Sequence, residues 1–389
     1  MATYISSNAN RFYTVLESAY GEVGALQAAN RIPAVKLMVQ QQSATGARQD
    51  KTGSRTFTGQ PAGGRRKTTF ELRTYLTSWA KTGAPAYGPL FQAALGGEPS
   101  AFAGGTVASC SAQGRLTFAA AHGLAPGQAV VCGGEIRFAA AVVDDQTVQL
   151  NAPFTSTPAA GATVSVTVTY TPATELPSAT IFDYWSPATA MQRILRGAAV
   201  DQMEILVNGD YHETRFKGIA QDVLDSATFP GEAGGLSAFP EEPAEADFDY
   251  SVVPGNMGQA WLGASPSQFF TITSASVVLN NQLETRSREF GSNVPRAISP
   301  GQRSVSATFE LYSRDDDATR ELYEAARQES PIGVMFQLGE VEGQLMGVWL
   351  KSVAPELPEF DDGENRLRWR FRGARAVGTV DDEVVVAFG

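Results

Sequence analysis

The sequence predicts a mainly β protein built on a repeated unit, and three observations carry that expectation. Its residues are 43% hydrophobic and only 18% charged, with 38 glycines and 21 prolines, which suits short β runs cut by turns better than long helices. At 389 residues the chain exceeds one ordinary core and implies two or three domains. The tetrapeptide Thr-Phe-Glu-Leu occurs twice, at 69–72 and 308–311, each time with a proline eight positions upstream, Pro61 and Pro300.

The neighbourhoods of the two tetrapeptides agree. Upstream, "VKLMVQQQ" (35–42) is set against "SASVVLNN" (274–281); both are strand-like, and each is followed by about twenty polar residues bearing Gly and Arg. A connection of that length without secondary structure usually has a job. Downstream in the second copy, 315–331 reads as a helix: acids open it, Leu322, Ala325 and Ala326 form an apolar stripe, Arg327 lies near its end and Pro331 stops it. The first copy offers a shorter helix, "GPLFQAALGG" from Gly88, with Leu90, Ala93 and Ala94 in matching places. A hairpin follows in each copy. Residues 334–353 turn near Gly339 to Gly343, and 203–223 turn at Asn208-Gly209-Asp210. Aligned glycine on glycine, these hairpins place Val223 and Val353 fourteen residues further on.

Between its helix and its hairpin the first copy holds about a hundred extra residues. Most of them show short β runs with turns every eight to twelve residues, the pattern of a small all-β module placed in a surface loop. After it, "IFDYWSPATAMQRILRGAAV" (181–200) reads as a strand and then a helix rejoining the first copy. The stretch 239–250, with five acids and no base, reads as linker or partly as a closing strand of copy one. The expected division is 1–98 with 176–262 as the first unit, including the acidic linker 226–262. Residues 99–175 form the inserted module and 263–389 the second unit.

Catalytic and metal chemistry find little material. The two histidines, His122 and His212, sit in no cluster with metal spacing, and the Gly-rich stretches lack the residues of a phosphate loop. Asp315, Asp316 and Asp317 fit the first turn of a helix better than a calcium loop. Cys110 and Cys132 are expected as buried thiols. No metal, cofactor or enzymatic activity is expected. A formal charge of −11 opposes gripping a phosphate backbone, though not a surface that DNA passes without sticking. The start of the chain lacks the basic, continuously apolar pattern of a signal peptide, and nowhere do eighteen apolar residues run together. Retention in the cytosol and no membrane insertion are expected.

These residues resemble the major tail tube proteins of long, non-contractile phage tails. The resemblance is clearest from 269 to 388, in "SVVLNNQLETRSREFGS", "PGQRSVSATFELYSRDDDATRELYEAAR" and "PEFDDGENRLRWRFRGARAVGTVDDEVVVAF"; it is weaker over copy one and leaves the module uncovered. It implies β-sandwich or barrel domains with one flanking helix, six to a ring, with stacked rings forming a conduit for DNA. Two fused copies then imply rings of three chains with pseudo-sixfold symmetry, whose side contacts close while axial contacts repeat. The implied partners are the chain itself, a tape-measure protein, a tail terminator and a distal tail protein, with transient passage of DNA. The implied location is the virion tail, assembled in the host cytoplasm, with the module on the tube exterior.

The resemblance also assigns the long loops to the contact between rings. The residues concerned are Arg48, Asp50, Lys51 and Arg55 in copy one, and Glu284, Arg286, Arg288 and Glu289 in copy two. Mixed charges suit contacts that fix register. The stretch "NRLRWRFRGAR" alternates, with Leu367, Trp369 and Phe371 on one face and Arg366, Arg368, Arg370 and Arg372 on the other. Those arginines are expected to pair with acids on a neighbouring strand or subunit, because a continuous cationic lumen would hold DNA back. Two alternatives remain at this point. One is a single-ring tail adaptor or distal tail protein of the same fold. The other is a carbohydrate-binding protein acting through Phe118 and Phe138 of the module.

Overall fold

The computed structural model describes residues 4–44, 50–55, 59, 64–79, 84–244 and 250–389. The chain opens with β1 (Asn10–Leu16), β2 (Arg31–Ile32), β3 (Ala34–Ala44) and β4 (Arg65–Tyr75). Helix α1 (Gly88–Leu95) follows; all but one of its residues are buried, so it runs through the core instead of along the surface. Next come β5 (Ser100–Phe102), β6 (Gly105–Cys110), β7 (Arg115–Phe118), β8 (Ala129–Cys132), β9 (Glu135–Val142), β10 (Thr147–Leu150), β11 (Thr163–Val164) and β12 (Thr167–Tyr170). The first half ends with β13 (Ala179–Trp185), β14 (Arg193–Val207), β15 (Glu213–Ala220) and β16 (Asp222–Asp225). The second half holds β17 (Gly258–Gly263), β18 (Ser267–Gln268), β19 (Ile272–Asn280), β20 (Glu284–Thr285), β21 (Ile298–Ser299) and β22 (Ser304–Tyr312). Helix α2 (Asp317–Arg327) then leads to β23 (Ile332–Leu338), β24 (Met346–Ala354), β25 (Glu359–Asp361), β26 (Arg368–Ala376) and β27 (Val385–Phe388). The acids before α2 do open it: Asp316 is its N-cap and accepts a 2.8 Å hydrogen bond from the Thr319 N–H.

Side-chain alternation sorts these strands into layers. The order β3-β4-β15-β14-β19-β22-β26-β25 forms one antiparallel run of eight strands. Phe70, Leu72, Phe216, Met203, Val277, Phe309 and Phe371 point from it into the main core, and their neighbours in sequence point away. Across that core, β17-β23-β24-β27 form an opposing layer whose Leu262, Phe336, Val348 and Phe388 point inward. The alternate residues of this layer, Trp261, Met335, Trp349, Val385 and Ala387, face the other way and pack on the module.

The module is a nearly closed barrel of order β11-β6-β7-β10-β9-β8, with a Val131–Ser165 bridge at its seam. Its stem strands β5 and β12 pair with each other, and β12 pairs with the last strand β27. The insertion of the first half is thereby docked on the second. Phe138 stacks on Trp349 with ring centroids 5.6 Å apart, and Phe118 lies inside the barrel, so neither presents a platform to a sugar. Cys132 is buried and Cys110 half-buried, both as free thiols.

The repeat is visible in the pairing, with four departures from the sequence expectation. First, 193–200 is the opening half of the long strand β14 and not a helix. Ile194, Leu195, Ala198, Ala199 and Val200 are all buried, and a strand covered on both faces loses the period that separates it from a helix; Gly197 also takes a left-handed φ of 61°. Second, β1-β13-β14 has the same order as β17-β23-β24. Hairpin 334–353 therefore matches β13 with the first half of β14, and the hairpin of 203–223 matches β25 and β26. Third, Val39 faces Phe70 as Ala275 faces Phe309, so the strands preceding the tetrapeptides match three residues away from the direct alignment. Fourth, residues 258–262, expected as the end of the acidic linker, pair with β23 of the second half together with Gly263.

Candidate functional site

The outward face of the eight-strand run is polar and its charges are organised. On β15 and β14, Glu213 takes Arg73 at 2.7 Å and Arg215 at 2.6 Å, and Arg215 reaches Glu204 at 3.4 Å. Burial opposes ionisation of Glu213, but the hydrogen bonds from Arg73 and Arg215 win and hold its carboxyl below the ordinary range. On β22, β25 and β26 the same arrangement recurs. Arg368 binds Asp361 at 2.6 Å and approaches Glu310 and Glu364 at 3.6 Å; Arg370 binds Asp361 at 2.6 Å and Glu310 at 3.2 Å. The hydrogen bond from Arg368 keeps Asp361 below the ordinary carboxylate range. Arg372 meets Glu359 at 3.0 Å, and Arg366 lies over the Tyr312 ring at 5.4 Å. Arg368, Arg370 and Arg372 thus pair with acids of the same chain, while Arg366 rests on the Tyr312 ring. Trp369 and Phe371 face inward as expected, whereas Leu367 precedes the strand and is exposed.

Sequence reasoning missed the first of these two networks. Its signal was available: "ETRFK" at 213–217 alternates charge with Thr214 and Phe216 as 368–372 alternates with Trp369 and Phe371. Strand pairing makes the two equivalent. With Thr69 laid on Thr308, Arg215 falls on Arg368, Lys217 on Arg370, Glu204 on Asp361 and Glu71 on Glu310. The acid-to-arginine contact on each pair of strands supports that placement independently.

The loop candidates gather at one end of this face. Asp50, Lys51 and Arg55 are exposed; Arg48 lies outside the described residues. Glu284 belongs to the small pair β20–β21, Arg286 forms an ion pair with Glu289, and Arg296 reaches Glu289 at 4.0 Å. The Arg288 carbonyl accepts a 3.1 Å bond from Arg65, and the Asn293 carbonyl accepts one of 2.7 Å from the Arg66 N–H. The second loop therefore rests on the start of β4, where the first loop ends. Phe290 stands fully exposed on it. Among the described residues no group of His, Cys, Asp and Glu could hold a metal ion.

Two comparisons bear on what such a face does. Curated proteins gave no match. The profile of the phage tail tube protein family matches residues 7–364, and the chain belongs to that family. It is a structural protein of the virion tail and not an enzyme, and membership implies assembly with its own copies into a tube.

Proposed function

We propose that three chains close into a ring of six pseudo-equivalent units and that such rings stack into the DNA conduit of the tail. The observation that carries this reading is the eight-strand run itself. It is one continuous sheet contributed by both halves, unpaired at the outer edges of β3 and β25 among the described residues, with a polar outward face. A closed ring of such sheets makes a wall with no exposed edge. In that ring the outward face lines the lumen, and its arginines, already held by acids, give passing DNA little to bind. The barrel module, two layers away across the core and the opposing sheet, lies on the exterior.

The loops carrying Asp50, Lys51, Arg55, Glu284, Arg286, Arg288 and Glu289 meet the next ring, and Arg48, outside the described residues, is assigned to the same contact. A tape-measure protein inside, and a terminator and a distal tail protein at the ends, complete the proposed set of partners. Negative-stain electron microscopy of the concentrated protein is the test. Hollow tubes with a regular axial repeat are expected; isolated rings would move the assignment to an adaptor, and persistent monomers would count against ring formation. Charge reversal at Arg286 and Arg288 should leave rings that no longer stack, and unchanged tube length would remove the inter-ring role of this loop.

A further inference from the structure

The two halves of the chain are already joined in the way that two chains need to be joined. Inside the chain, β14 runs antiparallel to β19 with Gln202 opposite Asn280, Met203 opposite Leu279 and Glu204 opposite Val278. Each of these strands has an equivalent with one edge unpaired among the described residues. On the first half, β3 occupies the place of β19, and among the described residues its only strand partner is β4. On the second half, β25 occupies the place of the later part of β14, and among the described residues its only strand partner is β26. An exposed edge of eleven residues, holding one lysine and no proline, is the kind that natural sheets cover.

We infer that β25 of one chain pairs antiparallel with β3 of the next, with Glu359 opposite Ala44, Phe360 opposite Ser43 and Asp361 opposite Gln42. The register follows from the pairings. Gln202, Met203 and Glu204 face Lys217, Phe216 and Arg215, and Glu359, Phe360 and Asp361 face Arg370, Trp369 and Arg368. On the other side, Val278, Leu279 and Asn280 face Ser306, Val305 and Ser304, and Gln42, Ser43 and Ala44 face the equivalent Lys67, Arg66 and Arg65. Phe360 supplies a separate argument. Its equivalent Met203, covered by the neighbouring half, is 1% exposed, whereas Phe360 is 56% exposed although it stacks on Trp369 at 5.5 Å. Phe360 lies on the terminal strand of the run, against whose edge a second copy would lie.

This inference rests on the ring reading above, and disulfide mapping separates the two. Opposed Cα atoms in an antiparallel pair lie about 4.5–5.5 Å apart, within the span of a disulfide. The full chain would carry Phe360→Cys with Ser43→Cys, or Glu359→Cys with Ala44→Cys, and be oxidised after assembly and run on a denaturing gel. Expected are linked species ending at three chains for both pairs. Single variants, which retain Cys110 and Cys132, should give none, and Phe360→Cys with Gln41→Cys should link less. Should Phe360→Cys prevent assembly, the second pair decides. Tubes or rings seen by microscopy without linkage at either in-register pair, or with stronger linkage at Gln41→Cys, would overturn the register and leave the ring reading intact. Failure of the unaltered chain to form rings or tubes would remove both.

Discussion

Arg137 in the barrel and Arg370 on the open face are both arginines held by acids, yet they sit in opposite surroundings. Arg137 has no exposed surface. It pairs with Glu135, donates to the carbonyls of Pro153 and Ile136 at 2.8 and 2.7 Å and to Gln259 and Gln337, and lies over the rings of Trp261 and Phe154. Burial pulls its pKa down to about 10 even though Glu135 pulls the other way. The Arg370 side chain is 26% exposed and shares its acids with Arg368. The first charge locks the module to the opposing layer. The second is one of a set that trims the field of a surface.

The largest effect should come from the lock. Arg137→Met leaves Glu135 buried without its counter-charge and should cost about 3–5 kcal/mol of unfolding free energy. Glu135→Gln in the same chain should recover part of that, because the orphaned charge is gone. Denaturant unfolding reads both, and a loss below about 1 kcal/mol for the single change would erase the contrast with the open face. Next comes Phe138→Ala, which opens a cavity against Trp349 and should cost about 3 kcal/mol by the same measurement.

The Arg137 lock did not announce itself in the sequence, and the reason is physical. "EIRFAAAV" shows one arginine in an apolar run, and only a partner 200 residues away, Gln337 on β23, makes it a lock. What was legible was local: the alternation of 368–372, the acids that open α2, the hairpin at Asn208 and the doubled tetrapeptide all act within a few residues. The opening half of β14 was not legible, because burial on both faces removes the period. The partner of β17, the shifted hairpin match and the β14–β19 joint are pairings across distance that no local pattern encodes. The candidate site divides in the same way. The arginine face could be read directly, whereas its twin on β15 needed the pairing to be recognised.

A smaller effect concerns pH. Glu213 has its folded pKa held below the ordinary 4.5 by Arg73 and Arg215. Its contribution is therefore present above pH 4.5 and is lost as pH falls through the lower folded value. Glu213→Gln should lower stability at neutral pH and flatten the loss below pH 4.5, as read by thermal unfolding across pH. An unchanged acid limb would mean that the pairing on this face does not stabilise the fold.

The least effect on folding, and the sharpest on function, should come from releasing the surface arginines from their acids. Glu310→Gln with Asp361→Asn removes the carboxylates that Arg368 and Arg370 share, while the strands keep their apolar face of Phe309, Leu311, Trp369 and Phe371 against the core. Unfolding should change little, since these groups sit at the surface. If the face lines the conduit, assembled tubes of this variant should retain short DNA that the unaltered tubes let pass. That retention should weaken with salt, the logarithm of affinity falling with a slope steeper by about 0.7 to 0.9 for each arginine that reaches a phosphate. Equal retention by both tubes would place the arginines off the path of the DNA. Their acids would then serve only to keep β25 on β26, where the proposed joint needs it.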